Sequence, residues 1–168
     1  MNTCIIYVMG VSGCGKTTIG KKLSQRVHVP FFDGDDFHIE ANKEKMKSGH
    51  PLTDQDRTEW LYRLNKLAKE QAKKQGAIIA CSALKEEYRI VLSDGISVPI
   101  YWIFLQGSYD LIKKRMERRK GHYMAASMLR SQFDSLEIPK YAITIDISKS
   151  PDDMVTQITQ DIGIKKST

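Results

Sequence analysis

The chain has 168 residues, a formal net charge of +6, 41% hydrophobic and 27% charged residues, the balance of one globular domain large enough for a real core. No apolar run approaches the ~20 residues of a membrane span, and the N-terminal apolar run enters a glycine-rich loop without the layout of a signal peptide. Three cysteines, Cys4, Cys14 and Cys81, without C-x-x-C spacing, argue against disulfides or a zinc site and for a reducing cytosol.

Cys4 to Met9 is apolar and β-branched, the pattern of a buried strand. Gly10-Val11-Ser12-Gly13-Cys14-Gly15-Lys16-Thr17 follows, a G-x-x-x-x-G-K-[ST] phosphate loop, and Thr18 to Val27 reads as a helix. This strand–loop–helix context is what such a loop requires. The glycines let successive N–H groups, from Gly10 through Ser12, Gly13, Cys14 and Gly15 to Thr18, turn toward an anion, and the helix N-terminus adds its dipole. Lys16 can reach the β- and γ-phosphates of a nucleotide and the Thr17 hydroxyl can hold Mg²⁺.

Val29 to Phe32 reads as a second short strand, with Asp33 and Asp35 at its carboxyl end. A helix over about 38–48 puts His38, Asn42 and Lys45 on one face. Thr53 with Asp56 resembles an N-cap for a helix to about Gln75, with Arg57 at the edge of its apolar face. Ala77 to Cys81 is a third strand, followed by a turn and a helix carrying Lys85 and Arg89 on a shared face. Ile100 to Leu105 is a fourth strand, and 108–118 a helix running into a basic cluster before Gly121-His122. Residues 125–136 read as a helix, 142–147 as a fifth strand and 151–162 as a last helix opened by Pro151. Five strands alternating with helices predict an α/β fold, a parallel sheet covered on both faces. Residues 38–75 are too long for a plain crossover and are expected to build a substrate lobe.

The basic residues Lys113, Lys114, Arg115, Arg118, Arg119 and Lys120 face only Glu117, which leaves the rest of the chain near neutrality. A nucleic-acid surface needs a broader stripe, so a compact polyphosphate fits better. The cluster, about 115–125, is expected to act as a lid over the nucleotide, with Arg115 and Arg119 contacting base plane and phosphate. A solvated face is the plainer alternative.

Many phosphate-loop enzymes carry a metal-side acid after a later strand, but the third strand here ends in Cys81-Ser82. Asp33 is therefore expected to serve Mg²⁺ with Thr17, through water, and Asp35 to accept the proton of a substrate hydroxyl. Capping of the following turn, by Asp36 above all, is the bland alternative. His38 reads equally as a substrate contact or a cap. Arg57 is expected to bind an anion rather than a structural carboxylate, and Lys85 and Arg89, after a strand's carboxyl end, to act in the site. Cys14, near a helix N-terminus, could carry a lowered thiol pKa, although a small filler in a tight turn is the preferred reading.

These residues resemble the small gluconokinases, related to shikimate and adenylate kinases. The resemblance spans nearly the whole chain. It rests on GVSGCGKTT (10–18), DGDDFH (33–38), KMKSGHPLTDQDRTEWL (45–61), CSALKEEYR (81–89), RRKGHYM (118–124) and SQFDSLE (131–137). It implies a three-layer fold, Mg²⁺ dependence, often a homodimer, and transfer of the ATP γ-phosphoryl group to the 6-hydroxyl of D-gluconate. Under it Lys16, Asp35 and Arg119 carry catalysis. Arg57, Lys85 and Arg89 suit the sugar-acid carboxylate, His38 and Gln132 its hydroxyls, and Arg119 to His122 match the lid. Asp36 departs from an apolar residue found in some members. A nucleoside monophosphate or shikimate acceptor is the rival enzyme reading, disfavoured for the nucleotide because residues 38–75 offer only Arg57 and Arg63. A GTPase is disfavoured because no N-K-x-D occurs.

Overall fold

The computed structural model describes residues 2–118 and 126–163. Strands β1 (Ile5–Met9), β2 (Phe31–Asp33), β3 (Ala77–Ala80), β4 (Ile100–Gln106) and β5 (Ile143–Asp146) form one sheet in the order β2-β3-β1-β4-β5. All neighbouring strands run parallel. The helices are α1 (Lys16–Val27), α2 (Glu40–Lys47), α3 (Asp54–Ala72), α4 (Glu86–Ser93), α5 (Tyr109–Glu117), α6 (Ala126–Ser135) and α7 (Pro151–Asp161).

Strand β1 is the centre of the sheet and is buried throughout. Its side chains alternate between two cores, as the pleat demands. Ile6 and Val8 join Ile19 and Leu23 of α1 and Met154 and Ile158 of α7. Ile5, Tyr7 and Met9 join Trp60, Leu61 and Leu64 of α3 and Tyr88 and Leu92 of α4. Helices thus cover both faces, as parallel strands need. The Tyr7 hydroxyl, buried in this second core, donates to the Leu92 carbonyl at 2.8 Å. The chain leaves β1 toward β2 and β4 toward β5, in opposite directions along the sheet. The ligand crevice of such folds opens at that switch, outside the carboxyl ends of the strands.

Local signals set the helix starts. Thr53 and Asp56 form a full capping box: the Asp56 N–H donates to Thr53 Oγ1 at 3.2 Å and the Thr53 N–H to Asp56 Oδ2 at 2.7 Å. Ser108 and Ser150 cap α5 and α7 more simply, each hydroxyl oxygen accepting one backbone N–H, from Leu111 and Asp153, with Pro151 in the first turn of α7.

The expected helix over 38–48 is corrected. A 3₁₀ turn, Gly34–Phe37, comes first, and α2 begins only at Glu40. Asp33 caps the 3₁₀ turn, taking the Asp35 N–H at 3.1 Å, so the acid that caps is Asp33 rather than Asp36. His38 lies in extended backbone between the two helices (φ −65°, ψ 142°). It therefore does not share a helical face with Asn42 and Lys45, which instead tie α2 to Asp56 at the head of α3, at 2.7 and 2.6 Å.

Candidate active site

The phosphate loop joins β1 to α1. Gly15 stands at the helix N-cap with φ +103°, a conformation L-residues avoid, and it turns the chain so that α1 starts at Lys16. The Lys16 ammonium lies folded along the loop, donating to the carbonyls of Gly10 and Val11, each at 3.0 Å. The Thr17 hydroxyl donates to Asp33 Oδ2 at 2.7 Å.

Gly34 explains how the two acids are placed. A Cβ there would stand 2.4 Å from the Ala80 carbonyl oxygen, so only glycine lets the 3₁₀ turn press onto the end of β3. That contact holds Asp33 and Asp35 beside the loop. Asp35 stands where solvent reaches it, yet enough protein surrounds it for desolvation to raise its carboxyl pKa. Asp33 and Asp36 push the same way and Lys16 pulls it down. A carboxylate with raised proton affinity suits a group that receives a proton.

The residues fit a nucleotide phosphate and a divalent ion. Thr17 and Asp33 supply a paired hydroxyl and carboxylate, the oxygen donors Mg²⁺ prefers, and Lys16 supplies a mobile cation. Beside the loop, a hollow of about 290 Å³ is lined by Gly13, Cys14, Gly15, Thr18, Arg115 and Lys149, among others. Arg115 reaches across it to donate to the Ile147 carbonyl. Arg118 also lines this hollow. Arg118 and Lys149 were not singled out individually from the sequence, because Arg118 stands in a run of cations and Lys149 is separated from the loop by more than a hundred residues. Arg119 and His122 lie outside the described residues, as does most of the expected lid.

The residues expected to meet the acceptor stand on α3, at the N-cap of α4 and on α6. Arg57 is half-buried. It donates to the Leu52 carbonyl at 2.6 Å and its guanidinium sits 5.6 Å from the centre of the Tyr88 ring. Among the described residues no carboxylate pairs with it. Lys85 Nζ lies 5.7 Å from the same ring and holds Asp54 by two hydrogen bonds of 2.8 Å, with Tyr88 donating to that carboxylate as well. Tyr88 is thus the platform that gathers the two cations, which the sequence did not single out. Its register, three after Lys85 and four before Leu92, is the signal that could have found it.

His38 packs flat on Trp60, ring centres 4.5 Å apart at 12°, and the Trp60 indole N–H is fixed to the Gly34 carbonyl at 2.7 Å. The imidazole is only 7% exposed. Burial first, then the charges of Arg57 and Lys43, lower its pKa to about 4, so it is neutral at physiological pH. Its Nδ1 is buried with no partner among the described residues.

The expectation for Arg89 is corrected. Arg89 is 2% exposed and its guanidinium is spent inside the protein. It donates to the carbonyls of Ala83, Leu84 and Glu137, to Glu86 and to the Tyr141 hydroxyl. Its face of α4 points into the core, away from Lys85. Cys14 has its thiol pKa raised: burial outweighs the lowering by Lys16, the loop N–H groups and Arg115. Gln132 touches the phosphate loop, its Oε1 taking the Ser12 N–H at 2.6 Å. It also lines a small hollow of about 40 Å³ with Arg57, Leu84, Met128 and Ser131. A wider hollow, about 300 Å³, lies on the outer side of α3 and α4 around Leu61, Tyr62 and Val91. It contains no phosphate-loop residue, so its size does not make it the reaction site.

The shikimate kinase family profile matches residues 12–162. A probable gluconokinase of Xenopus tropicalis is 38% identical over 179 residues, covering 96% of this chain and 94% of the relative. The thermosensitive gluconokinase of Escherichia coli (strain K12) is 46% identical over 134 residues, covering 79% and 71%. The solved structure of a gluconokinase from Sinorhizobium meliloti 1021 superposes with a TM-score of 0.84 at 31% identity, covering 96% of this chain and 97% of that one. Fold and site together define a P-loop small-molecule kinase of the shikimate kinase type. Within that class the chain belongs to the gluconokinase family.

Proposed function

We propose that the protein transfers the γ-phosphoryl group of ATP to the 6-hydroxyl of D-gluconate, giving 6-phospho-D-gluconate and ADP. The observation that carries this reading is the crevice itself: the Thr17–Asp33 pair and Asp35 on one side, the Arg57 and Lys85 cations on the other. A phosphoryl donor and an anionic, hydroxylated acceptor are what these groups would recognise.

In this reading the N–H groups of residues 13–18 cradle the nucleotide phosphates, while those of Gly10 and Ser12 stay on Ser82 and Gln132. Lys16 leaves the Gly10 and Val11 carbonyls to meet the β- and γ-phosphates. Arg115, with Arg119 of the lid, holds the nucleotide over the loop. Thr17 and Asp33 hold Mg²⁺, Asp33 through water; when bound, the ion would neutralise phosphate charge. Arg57 and Lys85 orient the gluconate carboxylate, while neutral His38, Gln132 and His122 of the lid meet hydroxyls. Asp35 takes the proton as the 6-hydroxyl oxygen bonds to the γ-phosphorus and the bond to the ADP oxygen breaks. The hollow beside Arg57 is well below the ~300 Å³ of an ordinary small-molecule site. Residues 38–75, acting as a substrate lobe, therefore move outward to admit the sugar acid. The reading extends to a homodimer in a reducing cytosol, supported there by the three free, buried cysteines.

The test is ADP release from Mg-ATP across gluconate, other sugar acids, shikimate and nucleoside monophosphates, with Lys16→Ala as control. Turnover is expected with gluconate and absent from the control. Turnover with shikimate or a monophosphate but not gluconate overturns the assignment.

A further inference from the structure

The peptide unit between Val11 and Ser12 is held from both ends. Its carbonyl accepts from Lys16 Nζ at 3.0 Å, and its N–H donates to Gln132 Oε1 at 2.6 Å. No peptide in the described chain is cis, so these two groups point in opposite directions from one rigid plane. Lys16 and Gln132 therefore grip the same plane from its two edges.

The contact also fixes the orientation of the Gln132 amide. A backbone N–H can only donate, so the oxygen must face Ser12 and the two-proton donor Nε2 is left over. Nothing among the described residues receives it. Gln132 is half-buried and lines the hollow that Arg57, Ser131 and Ser135 share. One side chain thus spans from the acceptor side of the crevice to the donor loop, and it offers the acceptor side a hydrogen-bond donor suited to carboxylate or hydroxyl oxygen. Its helix, α6, is tied to the acceptor wall as well: Met128 and Ser131 line the same hollow, and just beyond the helix the Glu137 N–H reaches the Leu84 carbonyl at 2.8 Å.

We propose that Gln132 is a positioning residue that couples acceptor binding to nucleotide binding through the Val11–Ser12 peptide. This rests on the sugar-acid reading above. An acceptor oxygen received by Nε2 fixes the Gln132 side chain. That fixes the Val11–Ser12 plane, which then keeps its place in the loop when Lys16 leaves the Val11 carbonyl for the phosphates. Whichever ligand arrives first orders the loop, so the second binds without that cost. Linkage makes the effect reciprocal, at the 5- to 150-fold scale usual for coupled sites.

The experiment is calorimetric titration of the protein with a non-hydrolysable ATP analogue and Mg²⁺, with and without saturating gluconate. Wild type is expected to bind the analogue roughly fivefold tighter or more with gluconate present. Gln132→Met, similar in length but without polar atoms, is expected to bring that ratio to about 1, whatever each separate affinity does. Gln132→Glu keeps an oxygen for Ser12 but offers the acceptor no donor, so the ratio is again expected near 1. A purely structural role for Gln132 would shift the thermal midpoint and leave the ratio in place. A wild-type ratio of 1, or either variant retaining the full ratio, overturns the coupling. If gluconate does not bind wild type at all, the sugar-acid reading falls and the coupling with it. If gluconate binds and the variants keep the ratio, only the coupling falls.

Discussion

The two sides of the crevice are built on different principles. The donor side is nine consecutive residues, 10–18, whose chemistry is mostly backbone: N–H groups, a helix N-terminus and glycine geometry. The proposed acceptor side draws His38, Arg57, Lys85 and Gln132 from four separated segments, and its chemistry is all side chain. The charged groups on that side also already have protein partners. Lys85 holds Asp54 and Arg57 holds the Leu52 carbonyl. An incoming sugar acid must therefore compete with contacts between distant side chains, whereas a phosphate competes with contacts inside the loop, where Lys16 rests on the Gly10 and Val11 carbonyls. It follows that single substitutions should retune the acceptor side and mostly abolish the donor side.

Asp35 is where the sides meet, and it gives the largest expected effect. Asp35→Asn preserves shape and removes the proton acceptor. It should cut gluconate-dependent turnover by roughly 10²–10⁴ while leaving analogue binding to the loop in place. The measurement is steady-state ADP release beside calorimetry. Near-normal turnover would strip Asp35 of its role and leave the acceptor side with binding duties alone.

Arg89 tests where the acceptor side ends. Its guanidinium is buried and serves three carbonyls, one carboxylate and one hydroxyl. Arg89→Met strands those carbonyls in the core, so unfolding free energy should drop by about 3 kcal/mol, read by urea titration. The gluconate KM of the folded fraction should stay near that of wild type. A raised KM at unchanged stability would return Arg89 to the site.

This difference in construction also decides what the sequence could reveal. The phosphate loop was legible because its residues are contiguous and its glycines answer a backbone need. The sheet was legible because a core on each face leaves continuously apolar strands, as Ile5 to Met9 show. Asp33 stood out because β3 ends without an acid, and it does take the Thr17 hydroxyl. Arg89 was misread because a cation after a strand end looks the same whether it faces the crevice or the core, and only α4's packing decides that. The reading of Cys14 as a small filler stands, because burial outweighs the loop's charges. The contact of Gln132 with Ser12 was invisible because it joins distant segments.

Arg57 sharpens the comparison further. Arg57→Lys keeps the charge and loses the planar fork that suits a carboxylate. The gluconate KM should rise about tenfold or more, the scale of one charged hydrogen bond at ~1.5 kcal/mol, with the ATP KM little changed. A parallel rise in both would mean that the two sides are not separable in the way their construction suggests.

His38 gives the smallest effect and the most specific one. Its imidazole stays neutral in the fold down to about 4, whereas in the unfolded chain it protonates near the ordinary ~6.5. Between these values the unfolded state binds the extra proton, so stability must fall as pH drops from about 6.5 toward 4. Asp35 has the opposite sign: its raised pKa favours the fold at low pH, and that contribution is lost as pH rises through the folded value. The lowered carboxylates Asp54 and Asp56 add their own acid loss. These terms are common to a wild type and a His38→Phe variant, which keeps an aromatic ring on Trp60 but cannot titrate. The difference in thermal midpoint between the two proteins, followed from pH 7 to pH 4.5, therefore isolates the imidazole. Wild type should lose more midpoint than the variant across that range, with the gap opening below about pH 6.5. Parallel curves would mean that the fold does not lower the His38 pKa and that the imidazole titrates alike in the folded and unfolded chains.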